Sequence, residues 1–279
     1  MGHGKLRKFR ENETFLCLLQ PQTADVLDME VGQGFVLKSH PIMGQWNTQM
    51  FQNRGPVVLE LGCGRGEYTI DLALRSPDCN YIGVDIKGAR LWRGAKYASE
   101  NNLPNVAFLR TRIEFIEAFF APGEISEIWL TFSDPQLKSE NSRLTSPLFL
   151  ERYRKFLRPG GIIHLKTDSV FLHEYSKAVA EANGLEVLAQ ARDLYGEDRE
   201  KIYSSAAASV MGKDSIDALF QVQTYYERMF LAQGLKITYL SFTLDHEGPF
   251  VYPENFDAAY WRKQEGPKRT FSHQAPFIP

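Results

Sequence analysis

The sequence predicts an α/β fold built on a doubly wound, mostly parallel sheet. Three observations carry that prediction. From Pro56 onward, short apolar runs alternate with stretches of helical periodicity. Those runs are apolar at successive positions rather than at every second one, as befits strands covered on both faces. The first run also ends in a glycine-rich turn, Gly62-Cys63-Gly64-Arg65-Gly66, of the kind that leads a parallel strand into a helix.

Each element follows in order. Residues 1–53 read as an irregular, basic N-terminal segment, with Lys5, Arg7, Lys8 and Arg10 in its first ten positions. Val57–Leu61 reads as the first strand, and a helix runs from the glycine turn through Ala73. Asn80–Val84 is the second strand, closed by Asp85. The helix after it carries Lys87, Arg90, Arg93 and Lys96 at every third position, a cationic face whose ordinary use is solvation. Val106–Leu109 and Ile125–Phe132 are the third and fourth strands. Pro147–Leu157 has a helical stripe stopped by Pro159-Gly160-Gly161, and Ile162–Lys166 is the fifth strand. Leu185–Ala189 and Ile237–Thr243 supply late strands at one edge. Residues 193–223 form an insertion of charged and small residues, and 246–279 read as an extended C-terminal tail. Residues 54–245 are therefore taken as one domain, between the N-terminal segment and the tail.

Composition bounds the function. With 43% hydrophobic and 24% charged residues in 279, the chain has ample material for a packed core. No apolar run is long enough to span a membrane, and Met1–Arg10 leads into no secretory h-region. Cys17, Cys63 and Cys79 form no CxxC pair, which fits reduced thiols in a cytoplasmic protein. The net charge of −2 counts against a wholly basic nucleic-acid binder but not against local basic patches. The six histidines show no i,i+4 pair and no cysteine partner, so a metal site is not expected. His164 alternates with apolar neighbours and reads as a core histidine. Neither a Ser-His-Asp order nor a G-x-S-x-G elbow is present. Nothing here sets the oligomeric state.

In an open parallel sheet, ligands bind beyond the carboxyl ends of the strands, so polar residues there are the candidates. Gly62 and Gly64 let the backbone approach a ligand closely. A dinucleotide fingerprint wants a small residue where Glu67 stands, which disfavours a nicotinamide cofactor and an oxidoreductase. S-adenosylmethionine carries a sulfonium and an ammonium and no phosphate, so Glu60 beside the turn suits it. Asp85 at the end of the second strand suits the two ribose hydroxyls. Asp134 in Thr131-Phe-Ser-Asp-Pro135 and Asp168 after the fifth strand lie at two further strand ends. Each has an alternative use as an Asx turn or helix cap, but together they invite a cationic or amine-bearing substrate.

The motifs Val58-Leu-Glu-Leu-Gly-Cys-Gly-Arg-Gly-Glu67, Gly83-Val-Asp-Ile-Lys87, Asp134-Pro135, Leu165-Lys-Thr-Asp168 and Thr224-Tyr-Tyr-Glu-Arg228 occur in one order. From about residue 35 to residue 245 the chain thereby resembles the tRNA (guanine-N7-)-methyltransferases, in their bacterial single-subunit form. The resemblance implies the class I methyltransferase (Rossmann-like) fold, S-adenosylmethionine as donor, and a guanosine of the tRNA variable loop (family position 46) as acceptor. It implies a donor site of Glu60, Gly62, Gly64, Asp85, Thr111 and Asp134, with Asp134 also at the methyl-transfer centre. It implies that Lys138, Asp168, Thr224, Tyr225, Tyr226 and Glu227 contact the substrate. Two departures stand out. Gln136-Leu-Lys-Ser-Glu-Asn-Ser-Arg143 replaces a strongly basic family segment, and Thr111-Arg112 stands where the family often has a donor-contacting acid.

Guanine N7 already carries a lone pair, so the expected chemistry is alignment for in-line attack on the sulfonium methyl, with no proton to remove first. The extruded base needs a stacking partner, for which Tyr225 and Tyr226 are candidates, although aromatics at this spacing commonly serve a core. Phosphates would meet the cationic helix, the first ten residues and the tail with its cations Arg262, Lys263, Lys268 and Arg269. Two other readings share the fold, a small-molecule methyltransferase and a non-catalytic RNA-binding module.

Overall fold

A computed structural model describes residues 3–30, 34–211 and 213–265. The chain divides into two compact units. One comprises the described residues up to Glu127 with Lys155–Arg158, and the other Ile128–Arg154 with those from Pro159 onward.

The first unit opens with helix α1 (His3–Asn12), a short strand β1 (Leu18–Leu19) and an antiparallel hairpin of β2 (Leu27–Glu30) and β3 (Gly34–Leu37). It continues through β4 (Val57–Leu61), α2 (Glu67–Arg75), β5 (Asn80–Val84), α3 (Gly88–Glu100) and β6 (Val106–Leu109). Its sheet strands take the order β1-β6-β5-β4, all parallel. Every residue of β4, β5 and β6 is buried, which is why their sequences are apolar on both faces. The register sets Glu60 beside Gly83 and Gly83 beside Phe108.

The expectation that residues 1–53 are irregular fails, since α1, β1, the β2–β3 hairpin and a helical turn at Trp46–Phe51 all form there. The basic run forms α1 because it docks on α3, where Asn12 Nδ2 donates to Gly88 O at 2.9 Å and Trp92 Nε1 to Glu11 at 2.6 Å. An i,i+4 pair, Arg7 with Glu11 at 3.3 Å, runs along the helix. Downstream, Trp46–Phe51 forms a π-helical turn whose Trp46 is fully buried, stacks on Phe120 and donates its indole N–H to Phe119 O at 2.9 Å. A lone tryptophan in polar sequence gives no periodic signal, so only tertiary packing reveals that anchor.

The second unit holds all but the first residues of β7 (Ile125–Thr131) and of β8 (Leu157–Thr167), with α4 (Pro147–Tyr153), α5 (Val170–Ala182) and β9 (Val187–Ala191). It ends with α6 (Arg199–Tyr203), α7 (Ala206–Met211), α8 (Lys213–Gln221), α9 (Tyr225–Ala232), β10 (Thr238–Thr243) and α10 (Ala258–Gln264). The strand order is β7-β8-β10-β9, with β10 antiparallel to both neighbours. The Pro159-Gly160-Gly161 stretch lies inside β8 and does not end at a loop. Its exposed Gly160, at φ 68°, donates its N–H to the Asp245 carboxylate at 3.0 Å. Correspondingly α4 stops at Tyr153, short of the expected Leu157. The 193–223 insertion folds into α6, α7 and α8. The tail is not extended throughout, because Asp257 accepts from Tyr260 N at 2.9 Å and starts α10. Arg262 and Lys263 sit in its last turn; Lys268 and Arg269 lie outside the described residues.

Candidate active site

In the first unit the glycine turn carries Gly62 at φ 81°, Gly64 at φ 58° and Gly66 at φ 75°, a left-handed run that side chains resist. A Cβ placed at Gly62 or Gly64 would meet nothing within 4 Å, so open space lies above both. At Gly66 the reason differs, because a Cβ there would strike Phe108 Cε1 at 2.5 Å. The same ring would be struck from Gly83 at 2.8 Å and from Gly94 at 2.5 Å. Three glycines thus seat one phenylalanine, and their absent side chains let α2 and α3 close on the sheet. Phe108 and Gly94 were not read from the sequence as site residues, although a glycine inside a strand or helix is the available signal.

Asp85 is buried and accepts from Gly64 N at 3.0 Å and from Lys87 N at 2.7 Å, so it ties the glycine turn to the start of α3. Glu60 is buried on β4 and accepts from Thr69 N at 2.9 Å and from the Thr69 hydroxyl. Gly66 has no side chain to cap α2, so this carboxylate does so from the strand. Thr111 is buried just beyond β6. Burial pushes the Cys63 thiol well up, which marks it as packing rather than a nucleophile.

The cationic face of α3 has partners the sequence did not announce. Lys8 of α1 lies 4.7 Å from the Trp92 ring centre and Lys96 at 5.9 Å from the other cation's same platform. Burial, with Arg93, Arg65 and Arg7 nearby, lowers the Lys8 ammonium's proton affinity. Lys87 and Arg90 are exposed.

In the second unit, exposed Asp134 follows β7 and accepts from Gln136 N at 3.0 Å, the Asx turn foreseen as an alternative. Left-handed non-glycine residues flank it, Phe132 at φ 52° and Gln136 at φ 45°. Phe132 N donates to Lys166 O at 2.8 Å, and its ring centre lies 6.0 Å from that of Phe230. Lys138 is exposed in the following turn. Asp168 is half-buried after β8, and the cap of α5 beside it is Ser169, whose hydroxyl accepts from Leu172 N at 3.0 Å.

Thr224 and Glu227 form a capping box on α9, with Glu227 N donating to Thr224 Oγ1 at 3.2 Å and Thr224 N to Glu227 Oε2 at 3.4 Å. Glu227 is fully buried, and its Oε1 lies 2.7 Å from the Nζ of fully buried Lys166. Tyr195 donates to that oxygen at 2.6 Å. Lys166 also donates to Leu219 O at 2.8 Å, Val222 O at 3.1 Å and Tyr195 Oη at 3.1 Å. This network joins β8, the insertion and α9, and neither Lys166 nor Tyr195 was singled out from the sequence. Tyr225 and Tyr226 are half-buried and meet edge-to-face at 5.5 Å. His164 stacks at 4.1 Å on Trp129 and hydrogen-bonds Tyr239 Oη at 2.8 Å, as a core histidine should.

Among the described residues no three His, Cys, Asp or Glu side chains form a metal-ligand group, and no helix is long and apolar enough to cross a membrane.

A family model described as "Putative methyltransferase" matches residues 54–238. Two solved structures share the fold: an antibiotic-related methyltransferase (TM-score 0.50, 18% identity, 75% of this chain and 96% of that one) and the 16S rRNA methyltransferase KamB (TM-score 0.50, 17% identity, 76% and 96%). Mostly parallel strands with flanking helices place the chain among class I methyltransferases, which use S-adenosylmethionine. The open cradle over Gly62 and Gly64 beside Asp85 fits that donor. A tRNA (guanine-N(7)-)-methyltransferase of Bacteroides thetaiotaomicron is 46% identical over 254 residues, 91% of each chain. That of Porphyromonas gingivalis is 50% identical over 204 residues, 73% of this chain and 78% of its own. The chain belongs to the tRNA (guanine-N7-)-methyltransferase family.

Proposed function

We propose that this enzyme methylates N7 of a guanosine in the tRNA variable loop, in the cytoplasm, with Asp134 at the centre of transfer. The observation that carries the reading is the 46% identity spanning 91% of both chains. S-adenosylmethionine, when bound, supplies the electrophilic methyl group. Glu60, Gly62, Gly64, Asp85, Thr111 and Asp134 are assigned to holding it. Two chain-specific features support this: Asp85 is preorganised by backbone N–H groups, and the glycines leave space above them.

Because N7 needs no deprotonation, the side chains orient the base and balance the positive charge it gains. Asp134 and Asp168 are assigned to guanine N1–H and the exocyclic amine, Lys138 and Thr224 to the rest of the nucleotide. Tyr225 and Tyr226 are assigned to stacking, which offsets the few kcal/mol of unstacking. Glu227 is assigned to the same site through α9, whose first turn it caps. Lys8, Lys87, Arg90, Arg93 and Lys96 are assigned to phosphates, so log affinity should fall against log salt by about 0.7 per phosphate contacted. A flat salt response would remove that assignment.

The test is labelled-methyl transfer into unmodified tRNA followed by nucleoside analysis. Asp134→Ala should remain folded, still bind S-adenosylhomocysteine, and lose ~10²-fold or more in turnover. Wild-type turnover in that variant would take Asp134 out of the mechanism.

A further inference from the structure

The segment that replaces the family's basic stretch ends in Arg143, and this arginine does not face solvent. It is 3% exposed. Its guanidinium carbon lies 4.8 Å from the Phe171 ring centre and 4.2 Å from that of Tyr175, both on α5. Its Nη1 reaches Glu140 at 3.5 Å, and its Nε donates to Gln136 O at 3.3 Å. Gln136 is one of the two left-handed residues flanking Asp134, and its own N–H is the donor to Asp134 Oδ1.

A left-handed conformation at a non-glycine residue persists only where its surroundings over-determine it. Upstream of Asp134, Phe132 is held by β8 and Phe230. Downstream, Gln136 O is held by Arg143 and by Ser139 N at 3.1 Å. Of the two groups that hold Gln136 O, Arg143 is the one that reaches a helix, α5, since Ser139 belongs to the same loop. Stacking on two rings while donating in the guanidinium plane needs a flat, delocalised cation, which lysine does not supply.

We propose that Arg143 is a positioning residue for Asp134, acting through the Gln136 peptide and α5, and that it does not bind RNA phosphate. The inference rests on the reading of Asp134 as the acid at the transfer centre.

The experiment compares wild type with Arg143→Lys, Gln136→Gly and Asp134→Ala. It reads kcat and KM for tRNA per S-adenosylhomocysteine-binding site, together with thermal midpoints. Arg143→Lys should lower kcat by about 10- to 100-fold, the usual cost of ångström-scale misplacement, and by far more than it raises KM. Its slope of tRNA affinity against salt should match wild type. Gln136→Gly suits a left-handed site and keeps the main-chain oxygen that Arg143 holds, so its midpoint and its kcat should both stay near wild type. Wild-type kcat per binding site in Arg143→Lys, or a shallower salt slope, overturns the proposal. Should Arg143→Lys fail to fold, Phe171→Leu, which removes one of the two rings under the guanidinium, takes its place, and unchanged kcat per binding site there overturns the proposal. Wild-type turnover in Asp134→Ala would instead overturn the underlying reading of the site, and this inference with it.

Discussion

Replacing Glu227 by glutamine keeps the shape of the α9 cap and removes one buried charge, so it isolates the ion pair with Lys166. Both side chains are fully buried. Stripping one partner from such a pair costs about 3–5 kcal/mol. Here the orphaned ammonium keeps three neutral acceptors, Leu219 O, Val222 O and Tyr195 Oη. The loss should therefore sit near the lower end, about 3 kcal/mol, or roughly 6–12 °C in Tm for a chain of this size. Burial holds the Lys166 pKa below its ordinary 10.5, and Glu227 opposes that shift. Without Glu227 the folded-state pKa drops further. Between that pKa and 10.5 the unfolded chain binds more protons than the folded one, so stability rises with pH by up to about 1.4 kcal/mol per unit. The deficit of Glu227→Gln should consequently narrow as pH is raised into the alkaline range. Denaturant unfolding at stepped pH from neutral upward measures it, with Lys166→Met and the double variant completing a cycle. The double variant should be more stable than either single one. A deficit under about 1 kcal/mol, or one indifferent to pH, would refute the reasoning.

Three further outcomes are expected. His173 is buried, and desolvation, followed by Arg192 and Lys177, lowers its pKa from 6.5 to about 4. Its neutral ring supports the fold above pH 6.5, and about 3 kcal/mol is lost as pH falls from there toward 4; His173→Phe should flatten that limb of an acid titration. Gly94→Ala places a methyl 2.5 Å from Phe108 Cζ and 2.9 Å from Arg65 O, so overpacking should cost about 1–3 kcal/mol and weaken S-adenosylhomocysteine binding by calorimetry. Glu60→Gln leaves the amides of α2 with a neutral acceptor and should lower unfolding free energy by about 1 kcal/mol, which chemical denaturation resolves.

What the residues alone determined is the part of the molecule governed by local pattern. Mostly apolar runs at Val57–Leu61, Asn80–Val84 and Val106–Leu109, short and bounded by turn residues, read as strands covered on both faces, and all three form as such. The glycines of the turn were likewise legible because its left-handed backbone favours them, and Glu60 and Asp85 stood out as charges at the ends of apolar strands. Tertiary structure alone decided where charge was taken out of water. Lys166, Arg143 and Lys8 each look like solvated cations in sequence, because a single charged letter carries no sign of its burial. One is paired inside the core, one is sandwiched by rings, and one lies against Trp92. Their partners lie 61, 28, 32 and 84 positions away respectively for Glu227, Phe171, Tyr175 and Trp92, beyond the reach of any helical or strand period. Only the folded chain brings such distant groups to within a few ångströms, because burial depends on the whole fold and not on neighbours in sequence.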